Sequence, residues 1–344
     1  MNLVRLLQLA LVLLLASETL AADRGSAPPS NPETFRIASA PGSPLFVLLR
    51  HLPPAPGVER KESPVLLVHG ATFPSALAAA YRLHGRSWMD DLAAHGFDTW
   101  ALDFLGYGGS DRYVEMNGPP DAHPPLGRAP AAAVQIEAAV AFITGNTGSS
   151  RVSLVAHSWG TLPAGRFAAM HGERVARLVL FGPIVDRSGT GRPSTSLPAY
   201  QDVTGEDQRE NFDTGVPAGV AVPFSADEFG AWASAYLGSD TGKALRLVPA
   251  VRVPFGPMAD SEDAHYGVLP YDPAAIGSPT LIVRGEWDAV ATAADAERLF
   301  GRLGASLRRS VVVSRGTHRM HLEPSRGQLF DEVDAFLAGD DHER

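Results

Sequence analysis

The feature that most constrains the fold of this chain is a series of short apolar runs without alternating polar residues. Strands with this pattern are typically buried on both faces of a parallel sheet. The runs cover residues 46–49, 65–68, 99–103, 152–156, 178–181, 281–283 and 311–313. Helical patterns lie between them, at residues 88–94, 131–143, 162–170, 293–303 and 329–337. We therefore predict an α/β fold with a mostly parallel central sheet, helices on both faces and right-handed crossovers.

Residues 187–270 interrupt this alternation of strands and helices. The segment is rich in Gly, Pro, Asp and Glu, and only residues 226–237 have a clear helical pattern. We predict that it is a cap inserted between two parts of the core, residues 34–186 and 271–340. Its carboxylates are expected to form a solvated face, and any that point inward would favour a cationic or amine-bearing substrate. They are Glu206, Asp207, Glu210, Asp227, Glu228, Glu262 and Asp263.

Residues 1–21 have the pattern of a secretory signal peptide. Arg5 precedes an apolar run at residues 6–16, and Thr19-Leu20-Ala21 fits a cleavage site. The run is shorter than the roughly 20 apolar residues that a transmembrane helix needs. The alternative is an N-terminal helix packed on the domain. We predict a periplasmic or secreted protein, with a flexible linker at residues 22–33 and no stable membrane anchor once the signal is removed.

Charge and cysteine content exclude several classes of function. The formal net charge of −9 disfavours nucleic acid as a partner. The sequence has no cysteine, which excludes disulfides, thiolate metal sites and a cysteine nucleophile. We therefore expect a small-molecule substrate, while no motif specifies an oligomeric state.

The segment Ala156-His157-Ser158-Trp159-Gly160 follows a buried strand and precedes a helical pattern. A small-x-Ser-x-Gly sequence in this context predicts a nucleophile elbow, a sharp turn that exposes the serine hydroxyl. Because the turn is tight, we expect the residues two before and two after the serine to be small, as Ala156 and Gly160 are. The alternative is an ordinary strand–helix turn that contains a serine.

A nucleophilic serine needs a base and a carboxylate that orients the base. Asp288 follows the apolar strand in TLIVRGEWD, and His318 follows the last strand, VVVS. Ligand sites of open α/β sheets collect at the carboxyl ends of strands. The order Ser158, Asp288, His318 is the one expected for this architecture. Asp186, which follows an earlier strand, is the rival for the orienting acid.

Five motifs together resemble the α/β-hydrolase superfamily. AHSWG is similar to its elbow and GEWD to its acid strand. VLLVHGA at 65–71 is similar to its oxyanion turn, WALDFLGYGGSDR at 100–112 to its D-x-x-G-x-G-x-S segment, and GTHRMHLE at 316–323 to its histidine loop. The resemblance implies that the backbone N–H groups of Ala71 and Trp159 form the oxyanion hole. Relatives that open epoxides or displace halides carry Asp at the elbow, where this chain has Ser158.

The stretch S-W-G-T-L is similar to the elbow of prolyl aminopeptidases. That group has H-G-G-P-G at the oxyanion turn, whereas this chain has His69-Gly70-Ala71-Thr72-Phe73. The difference disfavours assignment as a peptidase.

Three further polar residues are interpreted as structural. His69 is expected to brace the oxyanion turn, and Asp103 to close its strand by binding loop amides. His321 lies three residues after His318, but no third ligand follows at a suitable spacing and no H-E-x-x-H motif is present. We expect no metal and no cofactor.

The sequence thus predicts an exported serine hydrolase that cleaves an ester or amide of a small molecule through an acyl-enzyme. Ser158 is the predicted nucleophile, His318 the base and Asp288 the orienting acid. Three alternatives stay open: a peptidase similar to prolyl aminopeptidases, a C–C hydrolase with the same triad, and a ligand-binding protein without catalysis. The presence of all three triad residues speaks against the last.

Overall fold

The computed structural model describes residues 31–190, 194, 196–240 and 246–339. The predicted signal peptide and residues 22–30 of the predicted linker lie outside these ranges. Within them, no helix has both the length and the apolar character needed to cross a bilayer.

Eight strands form the central sheet. They are β1 (Glu33–Ala38), β2 (Phe46–Leu52), β3 (Val65–Val68), β4 (Thr99–Asp103), β5 (Val152–His157), β6 (Val175–Phe181), β9 (Thr280–Gly285) and β10 (Arg308–Val313). Their spatial order is β1-β2-β4-β3-β5-β6-β9-β10. The pairs β1–β2 and β2–β4 are antiparallel, and every other neighbouring pair is parallel. The predicted α/β class with a mostly parallel sheet is confirmed.

Helices cover both faces of this sheet. The core helices are α1 (Ser75–Ala78), α2 (Trp88–Ala94), α3 (Ala129–Thr147), α4 (Thr161–Met170), α8 (Ala293–Arg302) and α9 (Arg326–Ala338). Helices α3, α4 and α8 pack into one apolar cluster, and α2 and α9 into a second cluster. Strand β3 contributes Leu66 and Val68 to the first cluster and Val65 and Leu67 to the second. Burial on both faces explains why its sequence is apolar without alternation.

Strand β1 was not expected from the sequence, and Glu33, assigned to the linker, is its first residue. The strand lies at the antiparallel edge of the sheet and alternates between exposed and half-buried residues. Only Phe35 and Ile37 pack on the core. A short edge strand with one exposed face lacks the continuous apolar run that identifies the central strands.

The segment between β6 and β9 contains more regular structure than its sequence predicts. Strands β7 (Tyr200–Thr204) and β8 (Ala250–Pro254) form a separate antiparallel pair, accompanied by α5 (Gly205–Asp213), α6 (Ala226–Gly238) and α7 (Gly256–His265). Of these helices, only α6 was expected. Helix α5 buries only Gln208 and Phe212, so it has almost no apolar periodicity. Its start is instead fixed by a capping box between Thr204 and Asp207.

Candidate active site

Ser158 occupies the turn between β5 and α4. Its φ of 56° lies in the left-handed region, which is unfavourable for a residue with a Cβ. The strand before it and the helix after it hold the serine in this conformation. Backbone strain of this kind clusters at functional sites.

Gly160 allows the turn to pass close to a neighbouring loop. A Cβ at this position would lie 2.4 Å from the carbonyl oxygen of His69, which directly follows β3. A small residue is therefore required at this position, as the sequence predicts. The atoms nearest to the Cβ position belong to the adjacent strand and to the loop that follows it.

Ser158, His318 and Asp288 form a continuous chain of hydrogen bonds. Ser158 Oγ lies 2.8 Å from His318 Nε2, and His318 Nδ1 lies 2.9 Å from Asp288 Oδ2 and 3.0 Å from Oδ1. His318 and Asp288 are both buried. Because the carboxylate can only accept, the neutral imidazole carries its proton on Nδ1, and Nε2 is free to accept from the serine hydroxyl.

The surroundings of Asp288 stabilise its ionised form. Its Oδ1 accepts hydrogen bonds from the backbone N–H groups of Val290 and Ala291, at 2.9 and 2.8 Å. Burial alone would raise the Asp288 pKa, but the interaction with His318 and these two amides lower it below its ordinary value. The rival acid, Asp186, does not reach His318, because its carboxylate pairs with Arg302 at 2.5 Å.

Two side chains support the loop that carries His318. Glu323 is fully buried and accepts hydrogen bonds from the backbone N–H and the hydroxyl of Thr317. His157 Nε2 lies 2.8 Å from the carbonyl oxygen of His318, and since that oxygen only accepts, Nε2 is the donor. This contact joins two segments that are distant along the chain, so the local sequence around His157 does not predict it.

His69 and His321 are buried among core residues, in agreement with their interpretation as structural. His69 Nδ1 lies 2.7 Å from the carbonyl oxygen of Gly70, and its Nε2 accepts from the backbone N–H of Phe104. Burial and the neighbouring Arg319 and His318 lower the pKa of His321 to about 3, so its ring stays neutral. Burial lowers the pKa of His69 as well.

The two amides assigned to the oxyanion hole border the same cavity as Ser158. Within the described ranges, the N–H groups of Ala71 and Trp159 donate no hydrogen bond to another residue. The peptide that carries the Ala71 N–H is fixed by His69 Nδ1, which donates to the carbonyl oxygen of Gly70 at 2.7 Å. The Tyr107 hydroxyl donates to the Ala71 carbonyl oxygen at 2.6 Å. The Trp159 indole N–H donates to Asp260 Oδ2 at 2.8 Å. Both donors are therefore held in place with their N–H groups unused, and their role as an oxyanion hole stays a prediction.

Comparison with known sequences identifies the family. A profile described as the alpha/beta hydrolase family matches residues 65–330, which is most of the chain. The chain belongs to the alpha/beta hydrolase family. A search of curated proteins gives no match.

Solved structures of other alpha/beta hydrolases share the fold. A serine hydrolase involved in carbazole degradation, the CarC enzyme, is 19% identical over 89% of this chain and 99% of that chain, with a TM-score of 0.61. The 2-hydroxy-6-oxo-6-phenylhexa-2,4-dienoate hydrolase BphD from Rhodococcus sp. strain RHA1 is 18% identical. The match covers 89% of this chain and 99% of that chain, with a TM-score of 0.58. A membrane phospholipase A is also 18% identical, over 97% of this chain and 98% of that chain, with a TM-score of 0.58. At these identities the likeness shows the fold alone.

The cavity beside Ser158 has a volume of about 480 Å³. Core and insertion both line it, since Ser158 and His318 come from the core and Asp207 and Asn211 from α5. Among the seven carboxylates expected on a solvated face, Asp207 is the one that borders the cavity, and it is exposed at the rim. Three of the others bind protein groups: Glu228 caps α6, Glu262 binds Ser194, and Asp263 pairs with Arg128.

One group of potential metal ligands lies away from this cavity. In the described part of the chain, Asp91, His95 and Asp334 place ligand atoms within 4.8 Å of one another. Asp91 and Asp334 come from the contacting helices α2 and α9. His95 follows α2 and precedes β4, so it lies at the end of the sheet opposite Ser158. His321 belongs to no such group among the described residues.

Proposed function

We propose that this alpha/beta hydrolase is a serine hydrolase that cleaves an ester or amide of a small molecule through an acyl-enzyme. The observation that carries the proposal is the chain of hydrogen bonds from Ser158 through His318 to Asp288, which ends at the wall of a cavity large enough for a small ligand. The distances are those required between a nucleophile, its base and an orienting acid.

In the acylation step, Ser158 Oγ attacks the substrate carbonyl carbon while His318 Nε2 takes the hydroxyl proton. Asp288 stays ionised and stabilises the imidazolium. The carbonyl oxygen becomes an oxyanion, which the N–H groups of Ala71 and Trp159 are positioned to bind. When the C–O or C–N bond breaks, His318 returns its proton to the departing alcohol or amine.

In the deacylation step, a water molecule replaces the alcohol or amine. His318 accepts a proton from this water, and the resulting hydroxide attacks the acyl carbon. The bond to Ser158 Oγ then breaks, and the serine regains its proton from His318. The net reaction converts an ester or amide and water into a carboxylic acid and an alcohol or amine.

Two features disfavour a ligand-binding protein without catalysis. A protein that only binds gains nothing from a serine at a φ of 56°, which is a costly conformation. It also has no need for the Asp288–His318 pair, which fixes the tautomer that leaves Nε2 as an acceptor for Ser158.

Labelling with a fluorophosphonate probe and release of p-nitrophenol from short acyl esters test the proposal. Wild-type protein is expected to react in both assays. Ser158→Ala is expected to lose labelling and to lower ester turnover by about 10³–10⁶, with its circular-dichroism spectrum retained. Ser150→Ala is the control, since this serine is exposed just before β5, at the opposite end of that strand from Ser158.

The outcomes separate the alternatives. Labelling of Ser158→Ala at the wild-type level would remove Ser158 as nucleophile. Labelling of the wild type at Ser158 without turnover of esters, amides or aminoacyl amides would favour a C–C hydrolase. Turnover of proline amides above simple esters would favour the peptidase.

We also propose that the enzyme is exported. The proposal rests on the charged start, short apolar run and small-residue cleavage site of residues 1–21. Expressed in a bacterium, the mature protein is expected to begin at Ala22 and to appear in the periplasm or medium. Intact-mass measurement of each fraction checks this, and recovery of the full-length chain from the membrane fraction would contradict it.

A further inference from the structure

Arg319 is a buried cation at the wall of the active-site cavity. It directly follows His318 in the sequence and lines the same cavity as Ser158. Only 8% of the residue is exposed. A guanidinium is rarely buried to this extent without a carboxylate partner, because desolvation of a charge is costly.

The protein itself uses little of the hydrogen-bonding capacity of Arg319. Nη1 donates to the carbonyl oxygen of Asn211 at 2.7 Å, and the guanidinium carbon lies 5.5 Å from the centre of the Phe212 ring. Nε is buried and has no hydrogen-bond partner among the described residues. A guanidinium has five N–H donors, so most of them are left for another group.

Two carboxylates act on Arg319 through space, but each is committed to a different partner. Asp288 binds His318 and two backbone amides, and Glu323 binds Thr317. Across the described residues, neither comes within ion-pair distance of Arg319. Burial lowers the pKa of Arg319 to about 10, which still leaves the side chain charged at neutral pH.

The acidic residues of the cavity do not compensate this charge, because they lie at the rim. Asp202 and Asp207 are both exposed. Asp202 accepts two hydrogen bonds from Arg252, both at 2.8 Å, and Asp207 accepts one from the backbone N–H of Thr204. Among the described residues that line the cavity, Arg319 is therefore the one arginine or lysine, and it lies beside the reacting serine.

We propose that Arg319 determines specificity by binding an ionised carboxylate of the substrate. The substrate class is then an ester or amide that carries a carboxylate close to the scissile bond, such as the half-ester of a dicarboxylic acid. A carboxylate matches the planar fork of a guanidinium and forms the strongest type of hydrogen bond with it. This inference rests on the proposed function, because Ser158 has to act on the same molecule.

Matched pairs of substrates test the inference in the wild-type enzyme. The first pair is p-nitrophenyl hemiglutarate and its uncharged methyl ester, with the charge on the acyl side. The second pair is the acetate ester of p-hydroxyphenylacetate and the acetate ester of p-hydroxyphenylacetamide. Here the charge is on the leaving group. We expect kcat/KM to favour the charged member of at least one pair by about 10- to 100-fold, as for one charge-assisted pair in a buried site.

Variants show whether Arg319 is the source of this preference. Arg319→Gln is expected to lower the ratio of charged to neutral kcat/KM to about one, and Arg319→Lys to restore part of it. Arg209→Gln is the control, because this arginine belongs to α5 but pairs with Asp213 and does not line the cavity. If Arg319 only held α5 against the core through its hydrogen bond to Asn211, Arg319→Gln would lower turnover of both members of a pair equally.

The failure of this inference differs from failure of the proposed function. Equal kcat/KM for charged and neutral members of both pairs in the wild type would overturn the role of Arg319, while Ser158-dependent turnover would stand. If the wild type showed neither fluorophosphonate labelling nor turnover of any ester, the proposed function would be overturned instead. Equal wild-type ratios overturn the role even if Arg319→Gln does not fold, and Arg319→Lys then tests whether Arg319 is the source of a preference.

Discussion

Two regions of the molecule combine a histidine with buried aspartate side chains, and they differ in how the negative charge is stabilised. In the active site, Asp288 faces His318 and two backbone amides. Between α2 and α9, Asp91 and Asp334 share one site with His95. Within the described ranges, neither oxygen of Asp334 accepts a hydrogen bond from a backbone amide. The same residue types are therefore placed in opposite electrostatic surroundings.

The pKa values of the two carboxyl groups shift in opposite directions. Burial would raise both, but His318 and the amides lower the pKa of Asp288. Burial together with the charge of Asp91 raises the pKa of Asp334 to about 7, although His95 acts in the opposite direction. A buried aspartate thus stays ionised where donors converge on it and becomes protonated where a second carboxylate replaces them.

The largest effect is expected when the ionised carboxylate beside His318 is replaced. Asp288→Asn keeps the shape of the side chain but removes the charge that stabilises the His318 imidazolium. We expect ester turnover to fall by about 10³–10⁴, as for the equivalent change in a serine protease. Measurement of kcat/KM with a neutral p-nitrophenyl ester checks this.

Asp186→Asn is the matched control for this prediction. Asp186 follows a neighbouring strand of the same sheet but pairs with Arg302 on α8. Its substitution is expected to change turnover by less than about tenfold. The reverse order of effects would transfer the role of orienting acid to Asp186.

The proximity of the three candidate triad residues could be predicted from the sequence, because they follow a topological rule. Ser158, Asp288 and His318 each come just after an apolar strand, and parallel strands deliver such residues to one edge of the sheet. The runs that mark those strands are readable because β5 and β9 are buried on both faces. The distance between the residues along the chain therefore did not hide their proximity.

The second cluster and the wall of the cavity follow no rule of this kind. Asp91 and Asp334 belong to helices whose rotation about their axes is set by packing, so nothing in the local sequence predicts that they meet. The burial of Arg319 depends in the same way on α5, whose polar sequence was read as part of an irregular insertion. Contacts made by such segments are decided by tertiary structure, which overrides local patterns.

A smaller effect is expected when the second cluster is changed. The native-state pKa of Asp334, about 7, lies above its ordinary value of 3.8, so between these pH values the native protein holds a proton that the unfolded chain has released. The free energy of unfolding therefore decreases as the pH rises through this window. We expect the gain in stability of Asp334→Asn over wild type to be larger at about pH 8 than at about pH 5, by about 1–3 kcal/mol.

Urea unfolding of both proteins across this pH range measures the difference. Asp331→Asn is the control, because this carboxylate is exposed on the same helix, and its effect is expected to be small at every pH. A stability difference between Asp334→Asn and wild type that does not change with pH would contradict the assigned pKa shift.

The source of the repulsion is tested by changing the other carboxylate. Asp91→Asn removes the same unfavourable interaction, but it also breaks the 2.5 Å ion pair between Asp91 and the half-exposed Arg86, which offsets part of the gain by about 0.2–1 kcal/mol. We therefore expect a smaller gain in stability at about pH 8 than for Asp334→Asn. Since each substitution relieves one shared interaction, the double variant is expected to be no more stable than Asp334→Asn alone. Gains that add independently would mean that the two carboxylates do not repel each other, and that burial alone raises the pKa of Asp334.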